Sequence, residues 1–268
     1  MFDLLFERAP DGRLYGEWLL SGLFWTLALA GLGWAIAFVV GVAVGVARTR
    51  AGGAAAVAAR LYVELFRNIP LLVQLFLWYF VLPELLPAAA GTWLKQMPPP
   101  WGAFLPALLC LGFYTAARVA EQVRAGIEAL PRGQGEAAAA LGLSRATVFR
   151  RILLPQALRM IVPTLTSEVM NIYKNTSVAL TIGVIELTAQ ARQISETTFQ
   201  TFAAFGWATV IYLALALVAY QAMELVDRRL QIPGLQPARP AKLRARSLFA
   251  RARSWFARAR FVGAGERS

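Results

Sequence analysis

The chain contains no histidine and a single cysteine, Cys110, set inside an apolar run. These absences exclude a disulfide framework and the His/Cys clusters at fixed spacing that zinc, haem or thiol chemistry needs, so no metal-ligating or catalytic residue is expected. Charge is scarce as well: 16% of the 268 residues are charged, against 58% that are apolar. A soluble domain of this length cannot bury so much hydrophobic sequence, and the composition points to a bilayer. Also missing is a Gly-x-x-x-x-Gly-Lys-Ser/Thr loop to cradle a nucleotide. The first seventeen residues hold four acidic and two basic residues and no small-residue cleavage site. They do not resemble a signal peptide, so the first apolar segment is expected to stay in the protein.

What is present is a series of apolar runs. A hydrocarbon core of about 30 Å takes about 20 helical residues. Leu19 to Ala47, Gln96 to Ala117 and Thr197 to Met223 carry no charge at all. Leu61 to Leu86 is interrupted by Glu64, Arg67, Pro70 and Gln74, and Leu158 to Leu187 by Pro163, Glu168 and Lys174. Such interruptions survive in a bilayer only where they face protein or water. Lys and Arg accumulate on the cytoplasmic side. With the N-terminus outside, Arg48 to Arg67, Arg118 to Arg159 and the tail from Asp227 hold 22 of the 27 basic residues. That distribution predicts an all-α integral membrane protein of five transmembrane helices, N-terminus periplasmic and C-terminus cytoplasmic, with a cytoplasmic loop between helices 3 and 4. The expected divisions are an outer segment 1–17, a membrane domain 18–234 containing the loop 132–155, and a basic tail 235–268. Within the first span Gly33, Ala37, Gly41 and Gly45 recur every fourth residue, a small-residue stripe for close helix packing. Cys110 reads as a small buried hydrophobe.

The loop reads as two short helices. Its alanine run is strongly helix-forming, Gly142 suits a helix C-terminus, Ser144 suits an N-cap, and Pro155 is expected to punctuate the end of the second helix. Two functions compete for this hairpin. With Arg145, Arg150 and Arg151 at hand for phosphates it matches a helix-turn-helix, which would make the chain a membrane-anchored DNA-binding regulator. Its position between two spans, without residues for a third helix, disfavours that reading, and no nucleic acid is expected as a partner. Glu136-Ala137-Ala138, then Gly142, then Ile152-x-Leu154-Pro155, resembles in every spacing the signature loop of binding-protein-dependent ABC import permeases.

The resemblance spans roughly Trp18 to Gly234. Leu61 to Gln74 is similar to the second-span signature of polar amino acid importers. Val81 to Pro87, Thr115 to Arg124 and Thr166 to Ser177 are most similar to the glutamate/aspartate permeases. The resemblance implies that Glu136, Ala137, Ala138, Gly142, Ile152, Leu154 and Pro155 form a coupling element for an ABC ATPase subunit, with Glu136 pairing with a base there. It also implies a second permease subunit, a periplasmic amino-acid-binding protein and residence in a bacterial inner membrane. ATP and Mg would be bound by the ATPase, with no cofactor on this chain.

Polar residues inside the spans are the candidates for the substrate pathway, since a charge at mid-bilayer costs about 2.5 to 3.5 kcal/mol. Thr164, Glu168, Asn171 and Asn175 fall on one helix face, which would line a cavity for the amino acid or hydrogen-bond neighbouring helices. Gln74 is a further candidate. Arg118 would either snorkel to the interface or turn inward, where its planar fork suits a side-chain carboxylate. After Arg244 the tail nearly repeats every seven residues, with Leu248, Phe249, Trp255 and Phe256 on one stripe and arginines beside it. That pattern suits a helix lying on anionic membrane lipid.

Overall fold

The computed structural model describes residues 3–49 and 52–230; the expectation for the basic tail lies outside the described residues. Among the described residues the chain is helical throughout, with no β-strand. After a short 3₁₀ turn (Asp3–Phe6), α1 (Tyr15–Arg48) runs through the first apolar segment. Its buried residues include the whole stripe Gly33, Ala37, Gly41 and Gly45. The stripe packs on α6: a Cβ on Gly41 would fall 2.6 Å from Val119 Cβ, and one on Gly45 2.7 Å from the Ala120 carbonyl oxygen. Small residues therefore set the distance between the two longest-paired helices of the fold.

The second expected span is broken. It comprises α2 (Ala54–Asn68), α3 (Leu71–Phe76), a π-helical turn (Leu77–Val81) and α4 (Leu82–Leu85), with a bend of 108° between α2 and the stretch Leu71–Leu85. Pro70 causes the break, because it lacks an N–H and drives Ile69 into extended backbone (φ −91°, ψ 128°). The carbonyls freed at the end of α2 are met by Gln74, whose amide nitrogen donates to Phe66 O and Ile69 O, both at 2.9 Å. A broken helix is tolerable in apolar surroundings when a side chain re-satisfies its backbone in this way.

Then come α5 (Ala88–Lys95) and α6 (Trp101–Glu128). The third apolar window was expected at Gln96 to Ala117. The helix instead starts after Pro98, Pro99 and Pro100, which donate no hydrogen bonds, and continues through Arg118, Glu121 and Arg124. The loop folds as α7 (Arg132–Ala140) and α8 (Arg145–Val148), passing through a π-helical turn (Phe149–Leu153) into α9 (Leu154–Met160). Pro155 lies in the first turn of α9, so it opens a helix and does not close one, as a proline in the first turn loses no intrahelical bond.

The fourth expected span is divided into α9, α10 (Val162–Asn175) and a 3₁₀ turn (Thr176–Ile182) that ends on left-handed Gly183. Pro163 in the first turn of α10 marks the interruption after Ile161. The chain closes with α11 (Leu187–Thr198) and α12 (Thr201–Leu230). Three single helices, α1, α6 and α12, are long and apolar enough to cross a bilayer, and counting the bent pair as one span gives four. Of the five expected crossings, the second and fourth are jointed at the prolines that interrupt their sequence.

Buried Leu4, Trp18 and Leu19 pack with Leu187, Ile194 and Ala204, joining the N-terminal turn to α11 and α12. Fully buried Glu186 caps α11, accepting from the Ala189 N–H at 2.8 Å and the Tyr212 hydroxyl at 2.6 Å. Cys110 is free and buried beside Leu29, Leu75 and Leu111.

Candidate functional site

Two regions gather the candidate residues. The first is the hairpin of α7 and α8. The Leu141 N–H donates to Ala137 O and the Leu143 N–H to Ala138 O, both at 3.2 Å, with Gly142 at φ +80°. This is a left-handed helix ending in which a glycine removes the Cβ clash, and it reverses the chain within four residues. Ser144 caps α8, its Oγ accepting from the Thr147 N–H at 3.3 Å. The reversal leaves Glu136, Ala137 and Gly142 exposed and Leu141 82% exposed, while Ala138 and Val148 are buried. Glu136 is the fifth residue of α7, beyond the first turn where a helix dipole would favour an acid. Ile152, Leu154 and Pro155 are half-buried at the return to the membrane bundle.

The second region lies between α6 and α10. Arg118 Nη2 donates to the Tyr114 hydroxyl at 3.1 Å, and its guanidinium carbon stands 5.2 Å from the Tyr114 ring centre. Arg118 Nη1 is 4.0 Å from Glu168 Oε1, with the arginine side chain 42% exposed and the glutamate 10%. Gln122, one turn along α6, donates to the same Glu168 oxygen at 3.1 Å. The other, Oε2, is buried without a hydrogen-bond partner. Arg118 is thus held by Tyr114 on its own helix, and α6 and α10 bring it to the outer limit of an ion pair with Glu168, two residues read separately in the sequence.

Of the remaining candidates on α10, Asn171 and Asn175 are half-buried. Thr164 is exposed, its hydroxyl donating to Ile161 O at 2.8 Å. Gln74 is not with them: its nitrogen is committed to the broken end of α2, and only its Oε1 is unpartnered. A cavity of about 430 Å³ lies elsewhere, walled by Tyr79, Pro83, Lys95, Pro106, Ile182 and Ile185 among others, and includes none of these residues.

Beside the pair stands a network that sequence reasoning missed. Glu121 bonds Arg48 at the end of α1, Arg67 near the end of α2 at 3.4 Å and Arg124 at 2.5 Å. Arg124 also reaches Glu128 at 2.5 Å. Arg67 lies within Coulombic reach of Glu168 too. The signal was available, since Arg118, Glu121, Gln122 and Arg124 recur within two turns of one helix otherwise poor in polar residues.

The hairpin and the jointed apolar helices coincide with a known family. Residues 37–232 match the profile of the inner membrane component of binding-protein-dependent transport systems. The chain belongs to this family. It is 44% identical over 235 residues to the glutamate/aspartate import permease protein GltJ of Escherichia coli (strain K12), covering 87% of this chain and 96% of that one. It is also 38% identical over 216 residues to the nopaline transport system permease protein NocM of Agrobacterium fabrum, covering 78% and 86%. Among solved structures, the crystal structure of an amino acid ABC transporter with histidines superposes with a TM-score of 0.69 at 32% identity, over 80% of this chain and 95% of that one. The methionine ABC transporter MetNI, inward-facing, shares the fold at 22% identity with a TM-score of 0.64. The chain is therefore a multi-pass inner-membrane permease component of an ABC importer. The helix-turn-helix regulator reading falls away: the hairpin belongs to the permease.

Proposed function

We propose that this permease subunit carries acidic amino acids, glutamate or aspartate, into the cytoplasm, and that Arg118 and Glu168 hold the cargo. The observation that carries the reading is the meeting of Arg118 and Glu168 at 4.0 Å across two helices, with the Glu168 carboxylate buried beside Gln122 and Asn171. An amino acid brings the complementary groups. Its ammonium suits Glu168, and a carboxylate suits the planar fork of Arg118, whose half-exposed side chain opens outward from this subunit. Asn171, Asn175 and Thr164 add neutral polar contacts along the same face, while Gln74 serves the pathway by fixing the joint between α2 and α3. The likeness to GltJ, which spans nearly all of that protein, supports acidic cargo.

The hairpin, in this reading, docks on an ABC ATPase subunit, with Glu136 meeting a basic group and Leu141 entering an apolar cleft. ATP is bound there with Mg and hydrolysed, and not on this chain. Closure of two ATPase subunits drives two such hairpins together, rocking the permease pair from inward- to outward-facing, and a periplasmic binding protein delivers the amino acid. Arg48, Arg67 and Arg124 at one end of the bundle support a cytoplasmic hairpin and a periplasmic N-terminus. In the complete complex reconstituted into proteoliposomes, Arg118→Ala is expected to lower uptake of acidic amino acids by about 10- to 100-fold while the ATPase still co-purifies. Unchanged transport kinetics in that variant would overturn the assignment.

A further inference from the structure

Phe199 breaks a local rule. It is the one non-glycine residue with positive φ among the described residues (φ 59°), at the C-cap of α11, where glycine fits without a steric penalty and asparagine with a reduced one. Its ring is not packed in the core formed by the described residues, being 89% exposed. Phe202, in the first turn of α12, is 85% exposed. The corner that displays them is well tied. The Phe199 N–H donates to Ser195 O at 2.9 Å, Ser195 Oγ lies 2.8 Å from Thr201 Oγ1, and the Ala204 N–H donates to Gln200 O at 3.0 Å.

Depth can be read along α12. The first charge after Thr201 is Glu224, followed by Asp227, Arg228 and Arg229. The charge-free stretch Phe202 to Met223 spans about 33 Å at about 1.5 Å per residue, close to the hydrocarbon thickness of about 30 Å. Phe202 then falls at the edge of the hydrocarbon and Phe199 just beyond it. On the other side of the corner α11 turns a polar face outward, with Arg192, Gln193, Glu196 and Thr197 exposed and Arg192 bonded to Glu196 at 2.8 Å. Its apolar residues Leu187, Ala191 and Ile194 are buried in the bundle. Below Phe202 the exposed side chains of α12 are apolar at Phe205, Val210, Leu213 and Leu217, and exposed Thr209 turns its hydroxyl back onto Phe205 O at 2.8 Å. The corner therefore divides a water-facing helix from a lipid-facing one.

We propose that Phe199 and Phe202 anchor the α11–α12 corner in the outer leaflet of the bilayer, their partner being the boundary between phospholipid headgroups and acyl chains. Aromatic rings beside a polar helix face are stable at that boundary. The lipid contact explains why a strained position carries a phenylalanine. It also fixes the depth of α11, whose start is tied by Glu186 and Leu187 to Tyr212 and Thr26, inside α12 and α1. The proposal rests on membrane insertion and is independent of the cargo.

The test uses the complete permease–ATPase complex in nanodiscs of phosphatidylcholine and phosphatidylglycerol. In a Cys110→Ala background, nitroxides are placed at Phe199→Cys, Phe202→Cys and, as the water-facing reference, Gln193→Cys. Collisions with lipid-soluble oxygen are expected to exceed those with an aqueous nickel chelate at 199 and 202, with the order inverted at 193. The same ratio at all three sites would overturn the proposal, as would aqueous access at 199 that disappears only when the binding protein is added. Phe199→Gly relieves the left-handed strain, so its unfolding midpoint in detergent should equal or exceed that of the parent. A lower midpoint would mean the ring packs on protein, and would also overturn it.

Discussion

A guanidinium and a carboxylate brought to 4.0 Å inside an apolar bundle lose hydration that their mutual attraction alone does not restore. Arg118 recovers part through Tyr114, and Glu168 part through Gln122 and Asn171, all neutral partners that leave the two charges only loosely paired. A ligand carrying both charges would complete the set. Hydrogen bonds to charged groups contribute about 1.5 to 3 kcal/mol, so Arg118→Ala should lower glutamate uptake at limiting substrate by about 10- to 100-fold. Arg118→Lys keeps the charge without the fork and should recover only part of the loss. Gln74 has the opposite character, since its partners are backbone. Gln74→Leu leaves two carbonyls unmet at the Pro70 joint and should destabilise the folded subunit by about 1 to 3 kcal/mol, read as a lower unfolding midpoint in detergent with substrate preference unchanged.

At the scale of the elements, the hairpin reverses on Gly142 at φ +80°. Gly142→Ala puts a Cβ into the left-handed region at a cost of roughly 1 to 2 kcal/mol, and should weaken co-purification of the ATPase, with Gly142→Asn milder. Larger side chains at Gly41 have no room, because Val119 already stands at 2.6 Å from where the first added carbon would lie. Gly41→Leu should separate α1 from α6 and abolish stable insertion, checked by protease protection. Much of this was legible in the sequence. The four-residue stripe predicted its own burial, and Gly142 and Ser144 predicted the turn and the cap, because each is a local rule read from neighbours. The joints were less legible. Pro70 and Pro163 were visible as interruptions, but the 108° bend and the division of the fourth span depend on how freed backbone is re-satisfied. That is a matter of tertiary contacts such as Gln74 to Phe66. Pro155 misled for a related reason, since a proline reads alike after one helix and at the start of the next. The Glu121 network escaped because its arginines lie on three helices far apart in sequence, and Arg118 meets Glu168 across fifty positions that only folding brings together.

Across the whole molecule, charge and apolar length run along one axis. The arginines of α1, α2 and α6 collect around Glu121 at one end, next to the hairpin, and the polar face of α11 lies at the other. Single cysteines in a Cys110→Ala background should therefore label from opposite sides: Glu136→Cys only from the cytoplasm, Gln193→Cys only from the periplasm. Labelling of both from one side would reverse or break the topology. The Arg118–Glu168 pair lies within one turn of the Glu121 network, and in the proposed reading it selects the cargo while the hairpin serves the ATPase. The most direct measurement is ATP-dependent uptake of labelled amino acids by proteoliposomes holding the complete complex and its binding protein. Glutamate or aspartate should accumulate and resist competition by arginine, with uptake falling by about 10- to 100-fold in Arg118→Ala. Uptake of a basic or neutral amino acid in their place, undiminished by Arg118→Ala, would contradict an acidic amino acid permease read through Arg118 and Glu168.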